Sequence, residues 1–177
     1  MAKALITGAS SGIGREIALK ISEYGYDLIL AARRNDRLLE VSKLLRSPAE
    51  IITIDLSKEE NCYSLYEKCK SDDIEIVVNN AGFGVFGEFT ETDLEKEEEM
   101  IDLNVRAVHI LTKLFLKDFK EKNSGTILNV ASAAGFMPAG PLLSTYYATK
   151  AYVLTLTRGI AKELKKSGIM HSMDVKP

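Results

Sequence analysis

The sequence predicts an α/β fold in three layers, a doubly wound parallel sheet with helices on both faces. Three observations carry that expectation. Six short apolar runs, at residues 4–7, 27–32, 50–54, 74–79, 126–131 and 170–175, are rich in Leu and β-branched residues. They lack the polar alternation of a strand with one wet face, as strands buried on both sides do. Longer amphipathic segments near 12–24, 35–47, 58–70, 93–122 and 146–167 separate them, and such alternation builds parallel strand–helix–strand units with right-handed crossovers. A glycine-rich turn joins the first run to the first helix.

That turn, Thr7-Gly8-Ala9-Ser10-Ser11-Gly12-Ile13-Gly14, is the first element with chemical content. Glycines let the backbone turn tightly and approach a pyrophosphate, and the following helix offers free N–H groups and a favourable dipole to the anion. The spacing is G-x-x-x-G-x-G rather than the more familiar G-x-G-x-x-G, and a glycine cluster alone also serves bare turns. The strand–loop–helix context favours dinucleotide binding by Gly8, Ser10, Ser11, Gly12, Ile13 and Gly14. The second run ends Leu30-Ala31-Ala32-Arg33-Arg34. An acid at this place binds a ribose 2′-hydroxyl, whereas an arginine accommodates a 2′-phosphate. Arg33 and Arg34 therefore favour NADP(H), with NAD(H) still usable, unless both are plain exposed loop charges.

The helix over 58–70 carries Cys62 and Cys69, read as ordinary thiols. The fourth run leads into Asn79-Asn80-Ala81-Gly82 at the carboxyl edge of the sheet, where open α/β sheets bind ligands. Thr90 with Asp93 resembles a capping box opening the 93–122 helix, and the acidic residues of 91–99 suit a helix start and read as a solvated face. Asn104 sits inside that helix, where it can bond backbone or water. Residues 123–149 carry no charge, but their Gly, Pro, Asn, Ser and Thr content reads as a buried strand and an uncharged loop rather than a span of about 20 apolar residues. Ser132 follows the fifth run at the same carboxyl edge. Tyr146 and Lys150, four apart on a helix, share a face. A free phenol with a pKa of about 10 is a poor base near neutrality, and an adjacent ammonium stabilises its anion. So assisted, a tyrosine can pass a proton to or from a carbonyl oxygen. Read singly, each has a plainer use: Ser132 can cap a turn, Asn79 can tie loops together, Asn104 can be a polar helix residue, and Tyr-x-x-x-Lys arises by chance.

Composition narrows the classes. With 177 residues, 46% hydrophobic and 27% charged, the chain suits one domain over 1–177 with a real core. A net charge of -2 without a basic run argues against nucleic acid. The N-terminus lacks the apolar region of a signal peptide, so a cytoplasmic protein without membrane association is expected. His109 and His171 lack spaced co-ligands, so no metal site is expected.

Residues 7–14, Asn79-Asn80-Ala81-Gly82, Asn104, Ser132 and the Tyr146/Lys150 pair together resemble, in order and spacing, the short-chain dehydrogenase/reductase family. YYATKAYV and the preceding SAAGFMP are similar to its single-domain bacterial branch. The resemblance covers essentially the whole chain and implies a Rossmann-type fold and an oxidoreductase interconverting a carbonyl and a secondary alcohol with NADP(H). Tyr146 would be the acid/base and Ser132 would orient the substrate carbonyl. Lys150 would hold the nicotinamide ribose and tune the tyrosine, and Asn104 would hold a water in a proton relay. Asp55, ending the third strand, and Leu56 would sit beside the adenine, while Asn79, Ala81 and Gly82 would line the cofactor cleft. The helices over 93–122 and 146–167 would pair across a homodimer or homotetramer. Two departures stand out. Ser132 and Tyr146 are fourteen apart where thirteen is common, which places an extra residue near Ala139. The chain also stops at Val175-Lys176-Pro177, ahead of the family's substrate-covering segment. A truncated end leaves a catalytically impaired dinucleotide-binding module as the alternative function.

Overall fold

A computed structural model describes residues 2–70, 73–165, 167 and 169–174, the side chains of 170–174 excepted. The apolar runs form six strands: β1 (Lys3–Thr7), β2 (Asp27–Ala32), β3 (Ala49–Thr53), β4 (Ile74–Asn79), β5 (Gly125–Val130) and β6 (Ile169–Asp174). All pairings are parallel, and the spatial order is β3-β2-β1-β4-β5-β6. The order reverses between β1 and β4, and a doubly wound Rossmann-type sheet opens its ligand crevice at the carboxyl ends of such a pair. Val175, with which the last run was expected to end, lies outside the described residues together with Lys176 and Pro177.

Both sheet faces are covered. Leu5, Ile29, Val77 and Ile127 pack on one side with Leu65, Leu111, Phe115 and Phe119. Ala4, Ile6, Leu28, Leu30 and Val78 pack on the other with Ala18, Leu38 and Val41. Ala4, Leu5 and Ile6 thus serve alternate faces, as the period-two geometry of a strand requires, and this is why the runs show no polar alternation. The helices are α1 (Gly12–Glu23), α2 (Asn35–Ser42), α3 (Glu59–Cys69), α4 (Leu94–Ile101), α5 (Val108–Lys122) and α6 (Ser144–Glu163). Cys62 and Cys69 lie on the buried face of α3. No helix among the described residues is long and apolar enough to cross a membrane.

Several boundaries differ from expectation; the helix expected over 146–167, for one, runs Ser144–Glu163. The helix expected over 35–47 stops at Ser42, whose hydroxyl donates to Leu39 O at 3.0 Å; Pro48 disfavours helix at Ser47, where the expected span ended. Asp55 lies two residues beyond β3 rather than at its end. Thr90 does not cap α4. Asp93 does so itself, accepting from Lys96 N at 3.2 Å, while Thr92 is drawn away to Glu97. The continuous helix expected over 93–122 is split by a π-helical turn over Asp102–Ala107. This turn holds Asn104, whose amide serves the backbone of Phe83 instead of solvent, and such wide turns recur at functional sites.

Candidate active site

A cleft of about 520 Å³ opens at the carboxyl edge, lined by Gly8, Ser10, Ser11, Gly12 and Ile13 at one wall and by Gly82, Phe83, Tyr146 and Lys150 at the other. Its floor is a hydrogen-bonded junction of β1 and β4. Thr7 Oγ1 donates to Val78 O (3.2 Å) and accepts from the N–H groups of Asn80 (3.0 Å) and Ala81 (3.1 Å). Asn80 Nδ2 donates to Thr7 O and Gly8 O, each at 3.1 Å. Gly8 has φ +66°, and a Cβ on it would lie 2.8 Å from the Ala81 Cα. Gly14 is packed under the loop, where a Cβ would meet Gly8 O at 2.4 Å, so it shapes the cradle without lining it. Gly12, at φ +55°, faces open space where α1 begins, and the Ser11 side chain makes no capping bond there. An uncapped helix N-terminus beside an open glycine leaves backbone donors for an anion, so this wall fits a pyrophosphate.

At the far end of this wall Arg33, Arg34, Asp55 and Leu56 all reach the cleft. Arg34 Nη2 donates to Ser10 Oγ (3.3 Å) and Ser11 Oγ (3.0 Å). Arg33 Nη1 pairs with Glu99 Oε1 at 2.7 Å. The Asp55 carboxylate accepts from Ser57 N (3.1 Å) and Ser57 Oγ (2.8 Å), which holds the loop after β3 in place.

At the opposite end α6 carries Tyr146 and Lys150 into the cleft, as their spacing requires. Lys150 Nζ is buried, donates to Val130 O at 3.2 Å and lies 5.9 Å from the centre of the Tyr146 ring. Burial pushes its ammonium down to about 8. The strap after β4 passes close by: a Cβ on Gly84 would lie 3.1 Å from the Tyr146 ring, and one on Gly82 would lie 2.7 Å from Asn104 Oδ1. Asn104 is buried behind the strap, accepting from Phe83 N (3.1 Å) and donating to Phe83 O (2.8 Å) and Thr149 Oγ1 (3.2 Å). Ser132 follows Ala131, which lines the cleft, and its hydroxyl accepts from Ala134 N at 3.2 Å. The short turn Ala133–Gly135 then packs on α6, so closely that a Cβ on Gly135 would meet Lys150 O at 2.8 Å.

The glycine loop, both arginines, Asp55, Leu56, Ala81, Gly82, Tyr146 and Lys150 therefore share one cleft. Asn79 does not line it. Its side chain is buried in the sheet, donating to Thr112 Oγ1 (3.1 Å) and Asn129 Oδ1 (2.9 Å). Its neighbour Asn80 lines the cleft instead; side chains alternate faces along a strand, and that period could have separated the pair. Sequence reasoning also missed Phe83 and Gly84, which have no charge or hydroxyl to signal them. Two of the acidic residues read as solvated have partners, Glu99 on Arg33 and Glu97 on Thr145 Oγ1 (2.7 Å) and Thr92 Oγ1 (2.5 Å).

A family model described as short chain dehydrogenase matches residues 2–174. An uncharacterised oxidoreductase of Staphylococcus epidermidis is 34% identical over 168 residues, spanning 94% of this chain and 73% of the relative. The very-long-chain 3-oxoacyl-CoA reductase-B of Danio rerio is 34% identical over 175 residues, spanning 94% and 56%. Among solved structures, a short-chain dehydrogenase from Sphingobium yanoikuyae in complex with NADPH superposes with a TM-score of 0.93 at 35% identity, covering 99% of this chain and 70% of that one.

Proposed function

The chain belongs to the short-chain dehydrogenase/reductase family of oxidoreductases, and from that premise we propose that it interconverts a small-molecule carbonyl and a secondary alcohol with NADP(H). The observation that carries this reading is the buried Lys150 ammonium, 5.9 Å from the Tyr146 ring, at the end of a cleft whose other wall is an open glycine loop on an uncapped helix. The NADPH of the Sphingobium yanoikuyae complex supports the cofactor, as do Arg33 and Arg34 at the end of β2. Bound in this cleft, the dinucleotide supplies or takes up the hydride.

The chain's own residues handle the proton and the geometry. Tyr146 gives its phenolic proton to the carbonyl oxygen in reduction and takes one from the alcohol in oxidation. Lys150 sets positive charge beside the phenol and offers N–H donors to the nicotinamide ribose. Ser132 already accepts a bond from Ala134 N, so its own O–H remains free to donate to the substrate oxygen and orient it. Both N–H bonds of the Asn104 amide are taken by Phe83 and Thr149. A relay water there must therefore donate to a remaining Oδ1 lone pair or to the main chain.

The test is Tyr146→Phe. NADPH oxidation against a panel of carbonyl compounds should be lost, while NADPH affinity, followed by nicotinamide fluorescence, stays within about twofold of wild type. Turnover at the wild-type rate would remove Tyr146 from the reaction. Tight NADPH binding with no turnover of any carbonyl by the unaltered chain would favour a dinucleotide-binding module instead.

A further inference from the structure

Arg33 and Arg34 are neighbours in sequence and unlike in their partners. Arg34 lies over the glycine loop, donating only to the hydroxyls of Ser10 and Ser11, and no carboxylate among the described residues pairs with it. Arg33 is in an ion pair with Glu99 at 2.7 Å. Glu99 comes from α4, 66 residues away, and its carboxylate is only 21% exposed. Its other oxygen accepts from Lys96 Nζ at 2.7 Å. Lys96 first, and Arg33 with it, hold the Glu99 carboxyl below the usual carboxylate range, so it is charged at neutral pH.

We propose that Glu99 sets the balance between NADP(H) and NAD(H) by occupying Arg33 as a counter-ion that a 2′-phosphate must displace. This deepens the cofactor reading above and rests on it. Unpaired, Arg33 would present a full positive charge to the 2′-phosphate. Paired, that charge is partly offset by the Glu99 carboxylate, which Lys96 shares, and the incoming dianion also meets that carboxylate. The phosphate must therefore draw Arg33 away from Glu99 or sit beside a like charge, and either weakens its binding. A ribose 2′-hydroxyl is neutral and escapes both terms. The pair can open without stranding a charge, because Lys96 stays on Glu99. Arg33 is itself 56% exposed, so solvent screens the pair and the brake is moderate rather than prohibitive. Arg34 with Ser10 and Ser11 keeps a second set of donors at the same end of the cleft. Glu99 is thus a positioning residue that acts through Arg33.

The experiment titrates NADPH and NADH separately into the full chain, following nicotinamide fluorescence, for wild type, Glu99→Gln, Arg33→Ala and the double variant. Glu99→Gln should tighten NADPH about three- to tenfold and leave NADH within about twofold. The unchanged NADH affinity doubles as the check that the variant is folded. In the Arg33→Ala background the same Glu99→Gln change should move NADPH by no more than about twofold, the non-additivity expected of residues in one pair. NADPH binding that is unchanged or weaker in Glu99→Gln, or a parallel shift of both cofactors, would overturn the inference while leaving the cofactor reading intact. A wild-type chain that binds neither dinucleotide would overturn both.

Discussion

At neutral pH Lys150 is an ammonium held out of water with one carbonyl, Val130 O, for company. Burial moves it from 10.5 to about 8. At about 1.4 kcal/mol per unit, that corresponds to roughly 3 kcal/mol by which the charged form disfavours the fold, to order of magnitude. The cost is fully present below about 8, where folded and unfolded chains both carry the proton. Between about 8 and 10.5 the folded chain loses its proton first, and the cost disappears. Lys150→Met should therefore abolish turnover and at the same time stabilise the cofactor-free chain by about 1–3 kcal/mol at pH 7. The gap between variant and wild type in urea unfolding should close as the pH is raised through 8 to 10. Using that difference matters. Burial pushes the Cys62 thiol and the Tyr66 phenol up to about 12, and both act the other way in the same range. The unfolded chain ionises them first, so their own contributions to stability fall there as pH rises. A Met variant less stable than wild type at pH 7, or a gap that widens upward, would contradict this account. Taken by itself, the sequence showed Lys150 only as one end of a loose Tyr-x-x-x-Lys spacing. Its burial, which sets the energy, arises from β5 and the strap after β4, elements that spacing along α6 cannot reveal.

Helix α4 illustrates the same limit one level up. Its acidic residues, read as a solvated face, divide by direction: Glu97 and Glu99 are half-buried and Glu95 and Glu98 exposed. Glu97 reaches Thr145, the residue before Tyr146, and also Thr92 at the entrance to α4 itself. These partners hold its carboxyl below the ordinary carboxylate range, Thr92 first and Thr145 next. The contact to Thr145 spans 48 residues, so no local periodicity could announce it. It ties the first turn of α6 to α4, and with it the height at which Tyr146 enters the cleft. Misplacement of a reacting group by even 1 Å can cost up to about a hundredfold. Glu97→Ala should accordingly lower kcat roughly tenfold, with NADPH affinity unchanged, and Glu97→Gln, which keeps an acceptor for Thr145, should restore most of it. Equal losses in kcat and NADPH affinity, without rescue by Gln, would reduce Glu97 to a merely structural role. The π-helical turn around Asn104 was hidden for the same reason, since its partner Phe83 lies in another element.

For the molecule as a whole, the parallel sheet was readable because each apolar run is local and buried on both faces; the reversal between β1 and β4 follows from how the runs pair. The inner side of α6 buries Lys150, Val153, Leu154 and Thr157. Its outer side presents Ala148, Ala151, Tyr152, Leu156, Gly159 and Ile160 along an open groove. Tyr152 is fixed there by a 2.6 Å bond between its hydroxyl and His109 Nδ1 from α5. The small residues Ala148, Ala151 and Gly159 let another helix approach closely, and a Cβ at Gly159 would meet nothing within 4 Å. Family resemblance implied that these helices pair between copies, and a stripe of this kind meets its own image about a two-fold axis. We therefore expect the chain to sediment as a dimer or larger at micromolar concentration. Ala151→Arg places a long charged side chain at the middle of the stripe, and should yield monomers whose NADPH affinity is within about twofold of wild type, because residue 151 lies outside the cofactor cleft. A wild-type chain that is monomeric throughout that range, or an Ala151→Arg variant that associates as wild type does, would show that this face does not join two copies.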